Sequence, residues 1–411
     1  MGGGASKRKK LEALENRNPM DTGWFPGKGV HNPEDDPDFK YHSTQKFLAP
    51  LVPEGGYAKF GDVFEDDPDR RMLGRGRLDG DIFTARRRSD KLRVAHKRVT
   101  PDRSSFVELQ RAHVGLERLR AQATPKDCLV PVVASFVDRD AETLDVCTEV
   151  MEHGNFLRYL AGTNPWSEAA VKSIIKDILK ALKKIHALGL VHRQVRLENV
   201  LAGSPDATRP LLGGFALLAP VARVEGESPD DVFFWRFLDY IYTAPELWGS
   251  SHDRPLDHAV DVKFKAVTCH EHPSLLTDPA QDVYAAGVLW HILLFGKSPV
   301  CASDDPGDTK YERIRAVNVE RCKTAASMLD ETMIGPLRAT VGAQTWSILE
   351  MMLACDPRQR PTAEKVLGEP YFRDPLKHAS ARHRGMPHAA LKDFIKHRSE
   401  VGRFYTAPVA V

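Results

Sequence analysis

The feature that most constrains the fold of this chain is a series of short motifs in a fixed order between Leu73 and Pro361. Each motif is weak evidence alone, because glycine-rich turns and charged dipeptides occur in many unrelated loops. Their order and spacing together restrict the possible architectures far more. Along the chain they are Leu73–Ile82, Val94–Lys97, Cys147–Leu157, His192–Asn199, Gly214–Ala216, Ala244–Glu246, Asp282–Gly287 and Asp356–Pro361.

The hydrophobic pattern divides this region into two parts. From Arg71 to Val137, short apolar and β-branched runs surround one stretch with helical spacing, Phe106–Ala121. From Phe156 to Phe372 long amphipathic stretches dominate. The pattern predicts an α+β fold in which a small, strand-rich lobe with one long helix precedes a larger, mainly helical lobe.

Composition excludes several classes of protein. Hydrophobic residues make up 42% of the 411 residues and charged residues 28%, as in a globular protein with an ordinary core. A net charge of +2 gives no overall attraction to nucleic acid. The six cysteines form no C-x-x-C pair, which favours free thiols.

Changes in composition set the expected boundaries. Residues 1–65 are rich in Pro, Gly and clustered acids and are interpreted as a disordered leader. Residues 70–150 form the predicted small lobe and 151–373 the large one, and 374–411 form a basic, His-rich tail. The stretch 247–281 is interpreted as an exposed insert whose histidines lack the spacing of a metal site.

The N-terminus carries a possible membrane signal. Gly2 and Ser6 fit the myristoylation pattern, and Lys7, Arg8, Lys9 and Lys10 follow directly. One acyl chain binds membranes weakly, but a chain with a polybasic patch is an effective pair of signals. We therefore expect a cytoplasmic protein attached peripherally to the inner leaflet; the alternative is an unmodified, solvated start.

The ordered motifs resemble the protein kinase family over about residues 70–373. The resemblance implies that Lys97 pairs with the α- and β-phosphates of ATP and with Glu117 of the helix; Glu108 is the alternative partner. It also implies the bilobal α+β fold of the family, with a small antiparallel β-rich lobe and a larger, mainly helical one. It implies further that Asp282 holds the catalytic loop His192–Asn199 and that Glu246 and Arg360 form a buried ion pair in the large lobe. The remaining positions implied to contact nucleotide lie in the glycine-rich loop, the sheet, the hinge and the catalytic loop: Gly74, Gly76, Gly80, Ile82, Ala95, Thr148, Glu149, Met151, Asn199 and Leu201.

Two acids of the family pattern are missing. The catalytic loop has Gln194 where the family has the aspartate that receives the substrate proton, and Arg196 where it has lysine. Gly214 replaces the aspartate that binds Mg²⁺, which leaves Asn199 as a weak, neutral metal ligand. The glycine-rich loop is also one residue longer than the pattern, and its Asp79 and Asp81 should repel phosphates.

These departures predict a pseudokinase that acts as a scaffold or allosteric regulator, with weak, Mg-independent ATP binding. Its expected partners are other proteins, such as an active kinase or its substrate, and not nucleic acid. The alternatives are an active atypical Ser/Thr kinase in which Asp206 or Glu198 takes over, and a nucleotide-binding switch without transfer.

Two further features of the large lobe have alternative interpretations. The aromatic residues Phe233–Phe237, Tyr240 and Tyr242 form a docking patch or pack against the large lobe. Arg193 holds a phosphorylated residue, such as Ser228 or Thr243, or is a buried structural arginine.

Overall fold

A computed structural model describes residues 58–74, 80–100, 106–156, 167–205, 208–221, 241–247, 278–296, 298–299, 327–329 and 337–373, with residues 106 and 107 described by their backbone alone. In this part of the chain a β-rich lobe precedes a mainly helical one, and the predicted α+β fold is confirmed.

The small lobe is built on a six-stranded antiparallel sheet. Its strands are β1 (Phe64–Asp66), β2 (Met72–Gly74), β3 (Ile82–Arg87), β4 (Arg93–Val99), β5 (Val132–Asp138) and β6 (Thr143–Glu149). The spatial order is β1-β3-β4-β6-β5, and β2 pairs with β3 as well. A short helix α1 (Phe60–Val63) precedes β1, and the long helix α2 (Phe106–Gln122) follows β4.

The sheet has two distinct faces because side chains alternate along each strand. On the outer face, Phe64, Val94, Phe136 and Cys147 form a buried cluster against which Phe60 packs. The other face carries Ala95 and Lys97, both half-buried, which are the residues that the sequence motifs single out.

The small lobe begins earlier than the sequence predicted. The leader was expected to extend to residue 65, but helix α1 and the first residues of β1 lie within that range and are folded. Asp67 follows β1 with a fully buried side chain, and the Nε atoms of Arg86 and Arg93 each lie 2.8 Å from one of its oxygens. Burial alone would raise the pKa of Asp67, but the Asp69 amide and the two arginines outweigh it and lower the pKa.

The large lobe is organised around α3 (Glu168–Ala187) and α4 (Ala280–Phe295). Helix α3 starts where the Ser167 hydroxyl accepts a hydrogen bond from the Ala170 amide, the usual role of serine at an N-cap. Between these helices lie two small antiparallel sheets, β7 (Leu190–Val191) with β10 (Ala219–Pro220), and β8 (Val200–Ala202) with β9 (Pro210–Leu212). Three helices follow: α5 (Ala343–Met352), α6 (Ala363–Gly368) and α7 (Pro370–Arg373).

A buried ion pair braces this lobe. Arg360 donates from Nη1 and Nη2 to the two oxygens of Glu246, over 2.6 and 2.7 Å. Its Nε donates to the Ala354 carbonyl, and the guanidinium lies 4.8 Å from the centre of the Tyr284 ring. Such bidentate geometry is what allows a buried arginine and carboxylate to offset their loss of hydration. The sequence motifs predicted this pair.

Among the described helices, none combines the length and the apolar character that crossing a bilayer requires. The same residues contain no cluster of His, Cys, Asp and Glu suited to a metal ion.

Candidate nucleotide and catalytic site

Asp282 at the start of α4 fixes the backbone of the segment His192–Asn199. Its Oδ2 accepts from the His192 amide over 2.8 Å, and its Oδ1 accepts from the Arg193 amide over 2.8 Å. His186 Nε2 lies 2.9 Å from the same Oδ2. The carboxylate is 1% exposed, so these donors replace its hydration. Asp282 thus has the loop-holding role that the sequence predicted.

His192 is a buried, neutral part of this frame. Its Nε2 donates to the Gly213 carbonyl over 2.9 Å, and its Nδ1 accepts from the Gln194 amide over 3.1 Å. This pairing suits one neutral tautomer. Burial lowers the pKa of His192 to about 4, which keeps the ring uncharged at neutral pH. The ring also packs edge-on against Phe215, with centroids 5.6 Å apart.

Gln194 stands where a proton acceptor would be needed. The residue is 7% exposed, and its buried Oε1 has no hydrogen-bond partner among the residues that the structure describes. A neutral amide has no useful basicity, so it cannot act as a general base. Its backbone carbonyl accepts from Asn199 Nδ2 over 2.8 Å. Position 194 therefore contributes a hydrogen bond to the loop, through its backbone, and no general base.

Gly214 and Asn199 are packed against one another. Gly214 has a positive φ of 81°, a conformation that strongly favours glycine. A Cβ built at this position would lie within 2.5 Å of the side-chain amide of Asn199, far inside van der Waals contact. The space beside residue 214 is thus filled by a side chain that is itself hydrogen-bonded to the loop.

This arrangement does not fit a Mg²⁺ site of the kind that the motifs imply. Mg²⁺ binds hard, anionic oxygens in near-octahedral geometry, and in such sites at least one ligand is a carboxylate. Position 214 offers no side chain, and Asn199, whose Nδ2 donates to the Gln194 carbonyl, would offer a metal only its neutral Oδ1. The described residues at positions 194, 199 and 214 supply no acid.

The residues implied to surround adenine lie on neighbouring strands. Ile82 of β3 pairs with Lys97 of β4, and Ala95 pairs with Thr148 of β6. These four residues and Leu201 of β8 are half-buried. The sheet therefore brings together the apolar positions and the lysine that the sequence singled out.

The hinge and the glycine-rich loop are described in part. Glu149 ends β6 with an exposed side chain, and its amide donates to the Pro131 carbonyl over 3.0 Å. Met151 accepts from the Gly154 amide over 3.2 Å. Gly74 ends β2, and Gly80 has a φ of 94° with a built Cβ colliding with the Arg98 carbonyl. Gly76 and Asp79 lie outside the described residues.

Glu117 does not pair with Lys97. Its Oε1 accepts from the Ser135 hydroxyl of β5 over 3.0 Å, and its Oε2 is bound by Arg120, 2.7 Å away. His113 Nδ1 lies 2.8 Å from the same Ser135 oxygen. This face of α2 is therefore turned towards β5, so the expected ion pair with Lys97 is wrong as a description of this structure.

Glu108, the alternative partner for Lys97, lies in the first turn of α2 and contacts two arginines. Its Oε2 accepts from Arg193 of the catalytic loop over 2.9 Å, and its Oε1 accepts from Arg111 over 2.8 Å. The Arg193 side chain is 2% exposed. The interpretation of Arg193 as a buried structural arginine fits this geometry.

Tyr242 is buried too, and its hydroxyl is 3.4 Å from the Leu197 amide; Phe233–Phe237 and Tyr240 lie outside the described residues.

Comparison with known proteins decides the family. A model of the protein kinase domain family matches residues 69–372, well over half of the chain. The chain belongs to the protein kinase family. Calcium-dependent protein kinase 9 of Oryza sativa subsp. japonica is 26% identical to this kinase domain over 365 residues, which cover 87% of the chain and 52% of that protein. The chain spans about half or less of the length of the curated relatives it matches.

Solved structures agree in fold. The autoinhibited serine kinase domain of titin superimposes with a TM-score of 0.58 at 14% identity, over 85% of this chain and 94% of that one. Rad53 residues 1–466 in complex with AMP-PNP superimpose with a TM-score of 0.51 at 19% identity, over 76% and 66%. At these identities the likeness concerns the fold.

Two relationships in this kinase domain escaped sequence reasoning. The packing of Asn199 against Gly214 follows from a backbone conformation that no motif encodes. The contact between Glu108 and Arg193 joins residues 85 positions apart. A signal for the second existed, since Glu108 and Arg193 were each singled out, but nothing in the sequence connected them.

Proposed function

We propose that this kinase domain is catalytically impaired and acts as a scaffold or allosteric regulator. The observation that carries the proposal is the pair of positions 194 and 214, where the family pattern has two acids. One holds a neutral amide, and the other holds a glycine whose neighbouring space is filled by Asn199.

The first loss concerns proton transfer. General-base catalysis by a positioned group contributes roughly 10²- to 10⁴-fold in rate. The Gln194 amide cannot accept a proton at any ordinary pH, and its oxygen is buried. Glu198, the nearest acid in the loop, lies in the turn Leu197–Asn199 after Arg196 and is half-buried. Asp206, the other acid named in the alternative of an active kinase, lies outside the described residues.

The second loss concerns the metal. Phosphoryl transfer depends on electrostatic stabilisation and positioning, and Mg²⁺ supplies much of both when it is bound. With glycine at 214 and a neutral amide at 199, these two described positions offer the metal no anionic ligand. Loss of the carboxylate at position 214 therefore removes one of the main contributions to phosphoryl transfer.

Nucleotide binding is a separate question from transfer. Ile82, Ala95, Thr148 and Leu201 keep half-buried positions suited to a flat apolar ring, and Lys97 keeps its place on β4. The solved structure of Rad53 with AMP-PNP shows that a protein of this fold binds an ATP analogue. We propose weak ATP binding that does not require Mg²⁺.

A thermal-shift experiment tests this proposal. Binding to the folded state alone raises the melting temperature. We expect ATP at millimolar concentration to raise it by the same small amount with excess EDTA and with Mg²⁺, and Lys97→Met to lose that shift. A shift that appears with Mg²⁺ and vanishes with EDTA would mean that another acid binds the metal.

The proposed partners follow from the regulatory role, and the proposed location follows from the N-terminal sequence. A domain that does not transfer phosphate acts through binding, so its partners are other proteins, such as an active kinase or its substrate. The N-terminal segment with Gly2 and Lys7–Lys10, outside the described residues, would hold the domain at the cytosolic face of a membrane. Replacing Gly2 with alanine should release the protein into the soluble fraction of cells.

A further inference from the structure

Three charged side chains converge between helix α2 and the catalytic loop. Glu108 accepts from Arg111 through Oε1 over 2.8 Å and from Arg193 through Oε2 over 2.9 Å. Arg111 is on the same helix, one turn further along, whereas Arg193 belongs to the loop. One carboxylate therefore lies between two guanidinium groups from different parts of the fold.

This cluster is closed to solvent. The side chains of Glu108, Arg111 and Arg193 are 9%, 5% and 2% exposed. Burial alone would raise the pKa of Glu108, but Arg193 and Arg111 outweigh it and lower the pKa, so the carboxylate stays charged at neutral pH. Charge-assisted hydrogen bonds of this kind are stronger than neutral ones.

Arg193 connects the cluster to the rest of the site. Its Nε donates to the Leu217 carbonyl over 2.6 Å, and its amide donates to Asp282. Its backbone has a positive φ of 64°, which is uncommon for a residue with a side chain and is maintained by surrounding contacts. The arginine thus links α2, the loop, the turn Phe215–Leu217 and α4.

An anion is required at this place. Without one, two buried guanidinium groups would face each other, and a buried charge with its partner removed is strongly destabilising. Among the described residues, Glu108 of the helix itself supplies this anion.

We propose that Glu108 is a built-in anion that fills a two-arginine seat formed by Arg111 and Arg193, and that it keeps helix α2 docked on the catalytic loop with no phosphorylated residue. The docked helix is held at two other places: Ser135 binds Glu117, and Arg118 Nη1 donates to the Leu188 carbonyl over 2.8 Å. The position of α2 is then set by the sequence and not by a kinase acting on this protein.

Substitution of Glu108 and anion rescue test the proposal. Glu108→Gln keeps the shape and removes the charge, and the matched control is Glu117→Gln on the same helix, whose carboxylate is 34% exposed. We expect Glu108→Gln to lower the melting temperature by roughly 5 to 10 °C and Glu117→Gln by much less. Inorganic phosphate should raise the melting temperature of Glu108→Ala, which empties the seat, more than that of Glu117→Ala, because phosphate can then enter between Arg111 and Arg193.

The wild-type protein supplies the second arm. Protein purified from eukaryotic cells, treated with phosphatase, should keep its melting temperature and the amide-exchange protection of Phe106–Gln122. This arm decides the matter if Glu108→Gln does not fold. Loss of protection after phosphatase, equal effects of the two substitutions, or equal responses to phosphate would each overturn the proposal.

Discussion

The side-chain amide of Asn199 occupies the space that a side chain on residue 214 would need. A Cβ at Gly214 would lie within 2.5 Å of that amide, and Asn199 Nδ2 is held by the Gln194 carbonyl at 2.8 Å. The missing acid is therefore not a simple vacancy. The side chain of Asn199 fills the space beside residue 214.

Restoring the acid should damage the fold before it restores a metal site. Gly214→Asp places a side chain at a φ of 81° and against Asn199, and we expect a loss of about 2 to 4 kcal/mol in the free energy of unfolding, measured by urea denaturation. The matched control is Gly61→Ala in α1, where an added Cβ meets no atom within 4 Å. That control should be neutral or slightly stabilising. Wild-type stability in Gly214→Asp, together with new Mg²⁺ binding, would contradict the description of this site.

Breaking the buried pair of the large lobe should be costly. Glu246→Gln leaves Arg360 buried without its counter-ion, and we expect a loss of about 3 to 5 kcal/mol. Glu364→Gln removes the exposed partner of Lys183 and should change stability by less than about 1 kcal/mol. Chemical denaturation of the two variants side by side measures the difference, and similar values for both would show that the buried pair is not a brace.

Loss of the Asp282 charge should loosen the catalytic loop. Asp282→Asn replaces one of two acceptor oxygens that bind three donors, from His186, His192 and Arg193. We expect a loss of about 2 to 4 kcal/mol and faster amide exchange at residues 192 and 193. Asp177→Asn, which removes a partly exposed partner of Lys180, serves as the control. Unchanged exchange in the loop of Asp282→Asn would argue that other contacts hold it.

Acid should destabilise the protein through His192. Its pKa is lowered from 6.5 to about 4 by burial, so between these values the unfolded chain binds more protons than the folded protein. Stability therefore rises with pH across this window and falls on acidification, by up to about 3 kcal/mol from this group. Burial lowers the pKa of His113 as well, with the same sign.

The measurement is the free energy of unfolding at several pH values from 4.5 to 7.5. His192→Gln lowers stability at neutral pH but should flatten its dependence on pH, since the titrating group is gone. An unchanged slope in that variant would place the acid sensitivity elsewhere.

Sequence reasoning reached the fold and the frame of the site because these depend on motifs with local physical meaning. The periodic pattern located α2, and the family resemblance of the ordered motifs placed Asp282, Glu246 and Arg360 in roles that their contacts support. A motif with fixed spacing predicts such contacts well, because it specifies the residue types and so indicates which residues bind one another.

The spacing of motifs along the chain does not predict how a helix is rotated about its axis or how a loop packs. The interval along the chain favoured Glu117 as the partner of Lys97, but the side chain faces Ser135 because of how α2 lies on β5. The end of the leader was misplaced for a similar reason: acids near residue 67 suggested a solvated segment, whereas Asp67 is buried between Arg86 and Arg93. Each error concerned a partner that is distant in sequence.

The most direct test of catalytic impairment is transfer of the labelled γ-phosphate of ATP to generic protein substrates, with Mg²⁺ and with Mn²⁺, by wild type and Lys97→Met prepared in parallel. We predict no incorporation by the wild type beyond that of Lys97→Met with either metal. Incorporation by the wild type that Lys97→Met abolishes would contradict the account and would assign the missing roles to another acid.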